Sequence, residues 1–318
     1  MIRISKEYVT DCLQADAVPA AYCESGEIVE FETRDCYDDN DITEENPLGN
    51  RSEGLENPAT GPLYIRGAQP GDVLKAEILD IELRDYGIMR TSVTDGAFRH
   101  LYDKRTARRF PLQDSLQQNG SAGYRFSFND KLTLNCDIMI GVIGTAPEGT
   151  GVPTITPGAH GGNMDCRRIG TGTTLYLPVN APGALLSMGD LHGLMGDGEM
   201  MICGLETAGK VKVRVTILKE NILEESGAGF LKEALPLLDA SGTLMTIQSA
   251  ETLDEAAQLA ACRMQQLVAK ASGLDDVNSG MLMSLKGNLI ICQIVNPLKT
   301  VRCEFPKDIL ERCGAKLP

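Results

Sequence analysis

Two stretches concentrate the residues that could do chemistry. "GDLHGLMGDGE", Gly189 to Glu199, sets Asp190, His192, Asp197 and Glu199 among glycines. "PGAHGGNMDC", Pro157 to Cys166, places Gly161 and Gly162 directly after His160, with Asn163 and Asp165 close behind. Together they hold two of the chain's three histidines. Asp190 and His192 are two apart, so in an extended segment both project from one side. Gly193, Gly196 and Gly198 allow a tight path that returns Asp197 and Glu199 to the same locus. Consecutive glycines let backbone N–H groups converge on a negative group, a seat for an oxyanion or carboxylate. Imidazole with carboxylate oxygen is the ligand set of zinc or a neighbouring divalent metal. One histidine beside one aspartate reads as a structural hydrogen-bonded pair. Two such stretches point to a metal site, although the spacing by itself names no reaction. His100, among the charges of "FRHLYDKR", reads as structural.

The elements that must position these residues are mostly strands. In "GEIVEFETRD", Val29, Phe31, Thr33 and Asp35 share one face by the two-residue period. That face ends in the carboxylate of Asp35, which must be paired or bound to a cation. "PGDVLKAEILDIEL" opens with a turn and continues as a strand from Val73 to Leu83. "GKVKVRVTIL" turns Val211, Val213, Val215 and Ile217 inward and Lys210, Lys212 and Arg214 outward. Segment 38–60 is a long polar loop, of a length that often serves as a lid. The last third changes character. Thr252 and Glu255 have capping-box spacing and Gly273 ends a helix whose stripe is Leu253, Ala257, Ala260, Met264 and Leu267. A strand "TVRCEF" and a Pro-initiated helical turn "PKDILERCG" close the chain. The expected fold class is mainly β, or α+β: packed antiparallel β-sheets, sandwich-like, with helices added in the C-terminal third. Residues 1–318 read as one unit, β-rich over 1–220 and mixed α/β over 221–318.

Composition narrows the function classes. Hydrophobic residues are 42% and charged residues 23% of 318, a globular balance. A net charge of −14 argues against a nucleic-acid partner. The longest apolar run, "LIICQIV", is far short of the ~20 residues of a spanning helix, so no membrane association is expected. The start "MIRISKEYVTD" lacks the apolar region of a secretory signal, and a cytoplasmic location is expected. Ten cysteines without a CxxC pair read as small buried hydrophobes in a reducing compartment. Three of them, Cys36, Cys166 and Cys203, sit close to the polar stretches, and Cys166 is the candidate for a catalytic thiol.

"PGAHGGNMD", "GDLHGLMGDGE", "GPLYIRGAQPGD" and "MIGVIGTAPEG" all resemble stretches of the acetamidase/formamidase family. They span roughly residues 25–220. In the second motif Met195 stands where some members carry Gln. The resemblance implies hydrolysis of a short carboxylic amide to carboxylate and ammonia, on a mainly β fold, by a dimer or larger homo-oligomer using a divalent metal. Zinc is the expected ion, with calcium the candidate for a second. On this reading His160, Asp165 and His192 bind the metal, and Asp35 and Asp190 are further ligands or supports. Glu199 is the general base, and Gly161, Gly162 and Asn163 hold the substrate's carbonyl oxygen or amide. The alternatives are a catalytically silent metal-binding member of the same fold and a cysteine-dependent amidase. No GxSxG elbow or GGSS-type serine segment is present.

Overall fold

The computed structural model describes residues 1–49, 54–116, 122–226 and 228–315. Strands β1 (Ile2–Ile4), β2 (Ile28–Thr33), β3 (Ala59–Ile65), β4 (Val73–Leu83) and β5 (Tyr86–Arg90) come first. Next are β6 (Ala107–Pro111), β7 (Met139–Gly144), β8 (Gly161–Asn163), β9 (Thr174–Pro178) and β10 (Leu186–His192). The chain continues through β11 (Glu206–Thr207), β12 (Gly209–Leu218), α1 (Glu220–Ser226), β13 (Leu237–Ala240) and β14 (Thr243–Ala250). It ends with α2 (Leu253–Ser272), α3 (Asp276–Lys286), β15 (Asn288–Gln293), β16 (Lys299–Pro306) and α4 (Lys307–Arg312).

The fold is mainly β, with antiparallel sheets packed on one another and the helices late in the chain. One nine-stranded sheet runs β1-β2-β12-β4-β9-β13-β14-β16-β15. Its centre is built by the clean alternation of β12, where Val211, Val213 and Val215 are fully buried and Lys210 is exposed. β12 pairs antiparallel with β2 on one side and β4 on the other. A second sheet carries β8-β7-β10-β11-β5-β6, with β3 also paired to β10. The two sheets share one core, in which Val29, Phe31 and Val213 of the first meet Ile140, Met188 and Leu191 of the second. The alternating face of β2 therefore points between the sheets, as its period requires.

Helix α2 covers the outer face of the C-terminal half of the first sheet. Ala260, Met264 and Leu267 pack with Leu244 of β14 and Val301 and Phe305 of β16. Both reciprocal bonds of the capping box are made at 3.2 Å, and Gly273 closes the helix at φ 71°. The buried stripe is centred slightly off the expected one: Ala256 and Val268 are fully buried, whereas Leu253 and Ala257 are only half-buried. In segment 38–60, residues 50–53 lie outside the described set. Among the described ones no strand forms before β3, and the loop is anchored by the fully buried Ile42.

Candidate active site

Strand β10 is buried along its whole length, between β7 on one side and β3 and β11 on the other. It ends in Asp190, Leu191 and His192. Asp190 adopts φ 57°, a left-handed conformation that an aspartate tolerates better than a branched or bulky residue. The His192 Nε2 atom then lies 3.4 Å from Asp190 Oδ1 and 3.1 Å from Glu206 Oε1 of β11, with Asp165 Oδ1 3.9 Å away. Glu199, at φ 44° after the glycines, is brought to the same place and contacts Asp165. One donor atom each from Asp165, His192 and Glu199 lie within 4.8 Å of one another, as do one each from Cys36, Asp190 and Glu206.

Amides hold these carboxylates in position. Asn57, from the long polar loop, donates to Asp190 Oδ2 at 3.1 Å, and Asn296 donates to Asp165 Oδ2 at 2.6 Å. Asn163, turned as its neighbours require, donates to Asp190 Oδ2 at 2.9 Å and Asp165 Oδ2 at 3.2 Å. Its oxygen accepts from Asn57 and Asn296 at 3.2 and 3.1 Å. Gly141 of β7 makes room for the pair, since a Cβ there would lie 2.5 Å from oxygens of both Asp165 and Asp190.

Burial dominates the electrostatics. It pushes Glu206 up to about 7 and Asp165 up to about 6, and raises Glu199 well above the carboxylate range with Asp165 adding to the effect. Asp190 is also buried, yet the neighbouring His192 holds it below its ordinary value. His192 is raised well above the usual imidazole range because Glu206 and Asp190 outweigh the burial that would lower it. Four buried carboxylates thus share one imidazole. Glu199 Oε2, Glu206 Oε2 and His192 Nδ1 have no hydrogen-bond partner among the described residues. Such a crowd of buried acid groups, with carboxylate oxygens left unpartnered, fits a cation.

The cluster opens on a cavity of about 220 Å³, lined in part by Cys36, Asn57, Asp165, Asp190, Glu199 and Glu206. The structure therefore gathers Asp165, Asp190, His192, Glu199 and Asn163 from the expected set, and places the rest elsewhere. Asp35 is fully buried but ion-paired with Arg84, and it accepts the Tyr37 and Asp39 N–H groups at 2.9 and 3.0 Å. It is paired rather than ligating, and the next residue, Cys36, reaches the cluster instead. His160 lies beyond the other end of β7: its carbonyl accepts from Thr145, and its ring is cradled by Gly158 and Gly162. Burial lowers it to about 4. Gly161 and Gly162 are set back from the cavity in the ladder with β7. At Gly162 the reason for glycine is close packing: φ is 77°, and a Cβ would lie 2.6 Å from the Thr156 carbonyl oxygen. Asn163 does line the cavity, but with its amide engaged by four neighbours it supports carboxylates instead of gripping a substrate.

Asp197 turns away, bound by Arg302 with an Nη2–Oδ2 distance of 3.1 Å. His100 is exposed on a short turn. Cys166 is fully buried outside the cavity, and its thiol is lowered by the neighbouring Cys292 and, against the effect of burial, by Arg302. Burial pushes Cys203, which lines the cavity, up to about 12. Sequence reasoning missed Glu206, Asn57 and Asn296, and named Cys36 only as one of three cysteines close to the polar stretches. The one available signal was the carboxylate of Glu206 inside the otherwise uncharged run "MICGLETAG".

These features define a mainly β protein with a buried acid–imidazole site on a small cavity. The model of the Acetamidase/Formamidase family matches residues 144–231. A crystal structure of acetamidase from Bacillus halodurans superposes with TM-score 0.89 at 42% identity, covering 99% of this chain and 100% of that one. A predicted acetamidase/formamidase from Thermoanaerobacter tengcongensis matches with TM-score 0.89 and 35% identity over 99% of both chains. Among curated proteins, a putative formamidase from Schizosaccharomyces pombe is 30% identical over 51% of this chain and 52% of its own length. The aligned region thus spans about half the length of that relative. The chain belongs to the acetamidase/formamidase family, a family of amidases, which are hydrolases of amide C–N bonds.

Proposed function

We propose that this chain hydrolyses short-chain carboxylic amides such as formamide and acetamide, with a divalent cation, zinc, in the buried cluster. The observation that carries the reading is the convergence of Asp165, His192 and Glu199 donor atoms beside Asp190 and Glu206, at the wall of a cavity. Imidazole nitrogen, carboxylate oxygen and the Cys36 sulfur form a donor set suited to zinc. Calcium prefers oxygen ligands only, so a second ion in the Cys36, Asp190 and Glu206 group is better served by a softer metal. When bound, the cation supplies Lewis acidity toward the amide carbonyl and lowers the pKa of a nearby water.

The chain's own residues supply the rest. Water adds its oxygen to the carbonyl carbon, the C–N bond breaks, and the products are a carboxylate and ammonium. Glu199, in the carboxylate form that a neighbouring cation would favour over the raised value of the bare cluster, takes the proton from the water and delivers it to the leaving nitrogen through its unpartnered Oε2 atom. Asn57, Asn163 and Asn296 fix the carboxylates, and burial excludes competing solvent. A homodimer or larger homo-oligomer in the cytoplasm is part of the same proposal.

The test is ammonia release from formamide and acetamide by the protein as purified, after chelation, and after zinc is restored. Activity is expected to vanish with chelator and return with zinc. Glu199→Gln is expected to lower kcat by about 10²-fold or more while the protein stays folded. Activity that ignores chelator but is lost to a thiol reagent moves the chemistry to a cysteine. Absence of ammonia from zinc-loaded protein makes the chain a silent binding member.

A further inference from the structure

The cavity that opens on the acidic cluster has a second, opposite chemistry in its wall. Arg90 and Arg105 both line it. Arg90 is half-buried, with its guanidinium stacked 4.4 Å from the centre of the Tyr37 ring. Arg105 is exposed at the rim. Other arginines of this region are neutralised: Arg84 pairs with Asp35 and Asp39, and Arg109 pairs with Asp41. Arg90 and Arg105 have no carboxylate within ion-pair distance among the described residues. Two acids, Glu56 and Asp95, share the wall; neither is ion-paired with Arg90 or Arg105 among the described residues, and Asp95 accepts from the hydroxyls of Ser92 and Thr94 at 3.3 and 2.5 Å. A half-buried guanidinium without an ion-pair partner is a ready site for an anionic group.

The placement of Arg90 relative to the cluster is fixed by the sheet. Glu206 pairs with Ile88 on β5, and Arg90 stands two residues further along that strand, about 6.7 Å on. The Arg90 backbone N–H donates to Cys203 Sγ at 3.4 Å, and the Cys203 thiol donates back to the Arg90 carbonyl at 3.3 Å, which locks the strand to the segment between Glu199 and Glu206. The cavity of about 220 Å³ is also large for the simplest amides. At roughly 30 Å³ per water-sized group it has room for about seven, nearly twice the non-hydrogen atoms of acetamide, so an amide about twice the size of acetamide fills it and reaches the exposed rim at Arg105.

We propose that the preferred substrate is a short amide bearing a terminal carboxylate, a monoamide of a small dicarboxylic acid, with its amide at the acidic cluster and its carboxylate on Arg90 and Arg105. This assignment rests on the amidase reading above and specifies its substrate class. The dianionic product then leaves from the same guanidinium site.

The experiment compares succinamate with 4-methylpentanamide, in which an uncharged isopropyl group replaces the carboxylate, and with acetamide, all on the zinc-loaded wild-type protein. The expected kcat/KM for succinamate exceeds that for 4-methylpentanamide by about tenfold or more. The succinamate-to-acetamide ratio of kcat/KM is expected to fall by a similar factor in Arg90→Gln, and to stay put in Arg125→Gln, a charge-loss control on a separate groove. Succinate binding is followed by calorimetry in parallel, and is expected to weaken in Arg90→Gln. Equal rates for succinamate and its uncharged isostere, or a ratio indifferent to Arg90, overturn the assignment and leave the amidase reading intact. Ammonia from none of the amides overturns the amidase reading. Succinate titration then decides the guanidinium site by itself: Arg90-dependent affinity supports it, and no binding sinks it.

Discussion

His160 shows how closely a residue's role depends on what surrounds it. Expected at a metal, it is instead a buried imidazole against glycine backbone, lowered by burial to about 4 from an ordinary 6.5. Above pH 6.5 the folded and unfolded chains both carry it neutral, so its contribution to stability is complete there. As pH falls from 6.5 toward 4 the unfolded chain takes up a proton that the folded chain refuses, and stability is lost. The full loss is about 3 kcal/mol. Urea midpoints measured from pH 7 to pH 4 are therefore expected to fall more steeply for the wild type than for His160→Leu; parallel slopes would refute the account. The same contrast explains which site residues were legible. Asp190 and His192 declare themselves by their two-residue spacing, and Glu199 by the glycines that turn the chain back. Asp35 has the same local signature as a ligand, because alternation reveals that its charge faces inward but not that Arg84 meets it. Asn57 and Asn296 carry no local signal, since they become site residues only through partners more than a hundred positions away.

At the scale of elements, the Glu199 loop is held by the last strand of the chain. Arg302 of β16, only 3% exposed in its side chain, grips Asp197 two residues before Glu199 and pairs with Glu304 at 2.8 Å. The Gly198 N–H also donates to the Cys292 carbonyl of β15 at 2.9 Å. Only Arg302 is buried: Asp197 is 30% exposed and keeps Arg167 at 3.7 Å, so removing Arg302 costs its charged hydrogen bonds, about 2 kcal/mol. Arg302→Met is expected to lower the unfolding free energy by that amount and also to reduce kcat for acetamide, because the loop that presents Glu199 loses its anchor. Arg302→Lys, which keeps the charge but not the fork, should recover part of both. A variant that loses stability with kcat intact would show that the pair is a strut with no influence on the site. The strands themselves were readable: Val73–Leu83 and the Val211–Val213–Val215 face emerge from the two-residue period, and α2 from its cap. Strand order was not. β12 lies between β2 and β4, and β16 between β14 and β15, and no local pattern states which strands meet.

For the whole molecule, the buried cluster is a structural liability, and on the proposed reading a bound cation would turn it into a source of stability. The chain already carries a net charge of −14, and four of its carboxylates sit inside, around one imidazole. Without a cation their repulsion opposes folding; with one, the binding free energy adds to folding because the ligand set exists only in the folded chain. At a free zinc concentration 100-fold above the dissociation constant the gain is about 2.7 kcal/mol. At about 2 °C per kcal/mol for a chain of this size, the midpoint is expected to rise by roughly 5 °C over chelated protein. Glu206→Gln separates this cause from a general effect of zinc on an acidic surface. It removes a negative charge while keeping the side chain's shape, so in chelator the variant should melt above the chelated wild type. On adding zinc it should gain less than the wild type does. If both proteins respond to zinc equally, the ion is acting on the surface, and the cluster of Asp165, Asp190, His192, Glu199 and Glu206 is not where it binds.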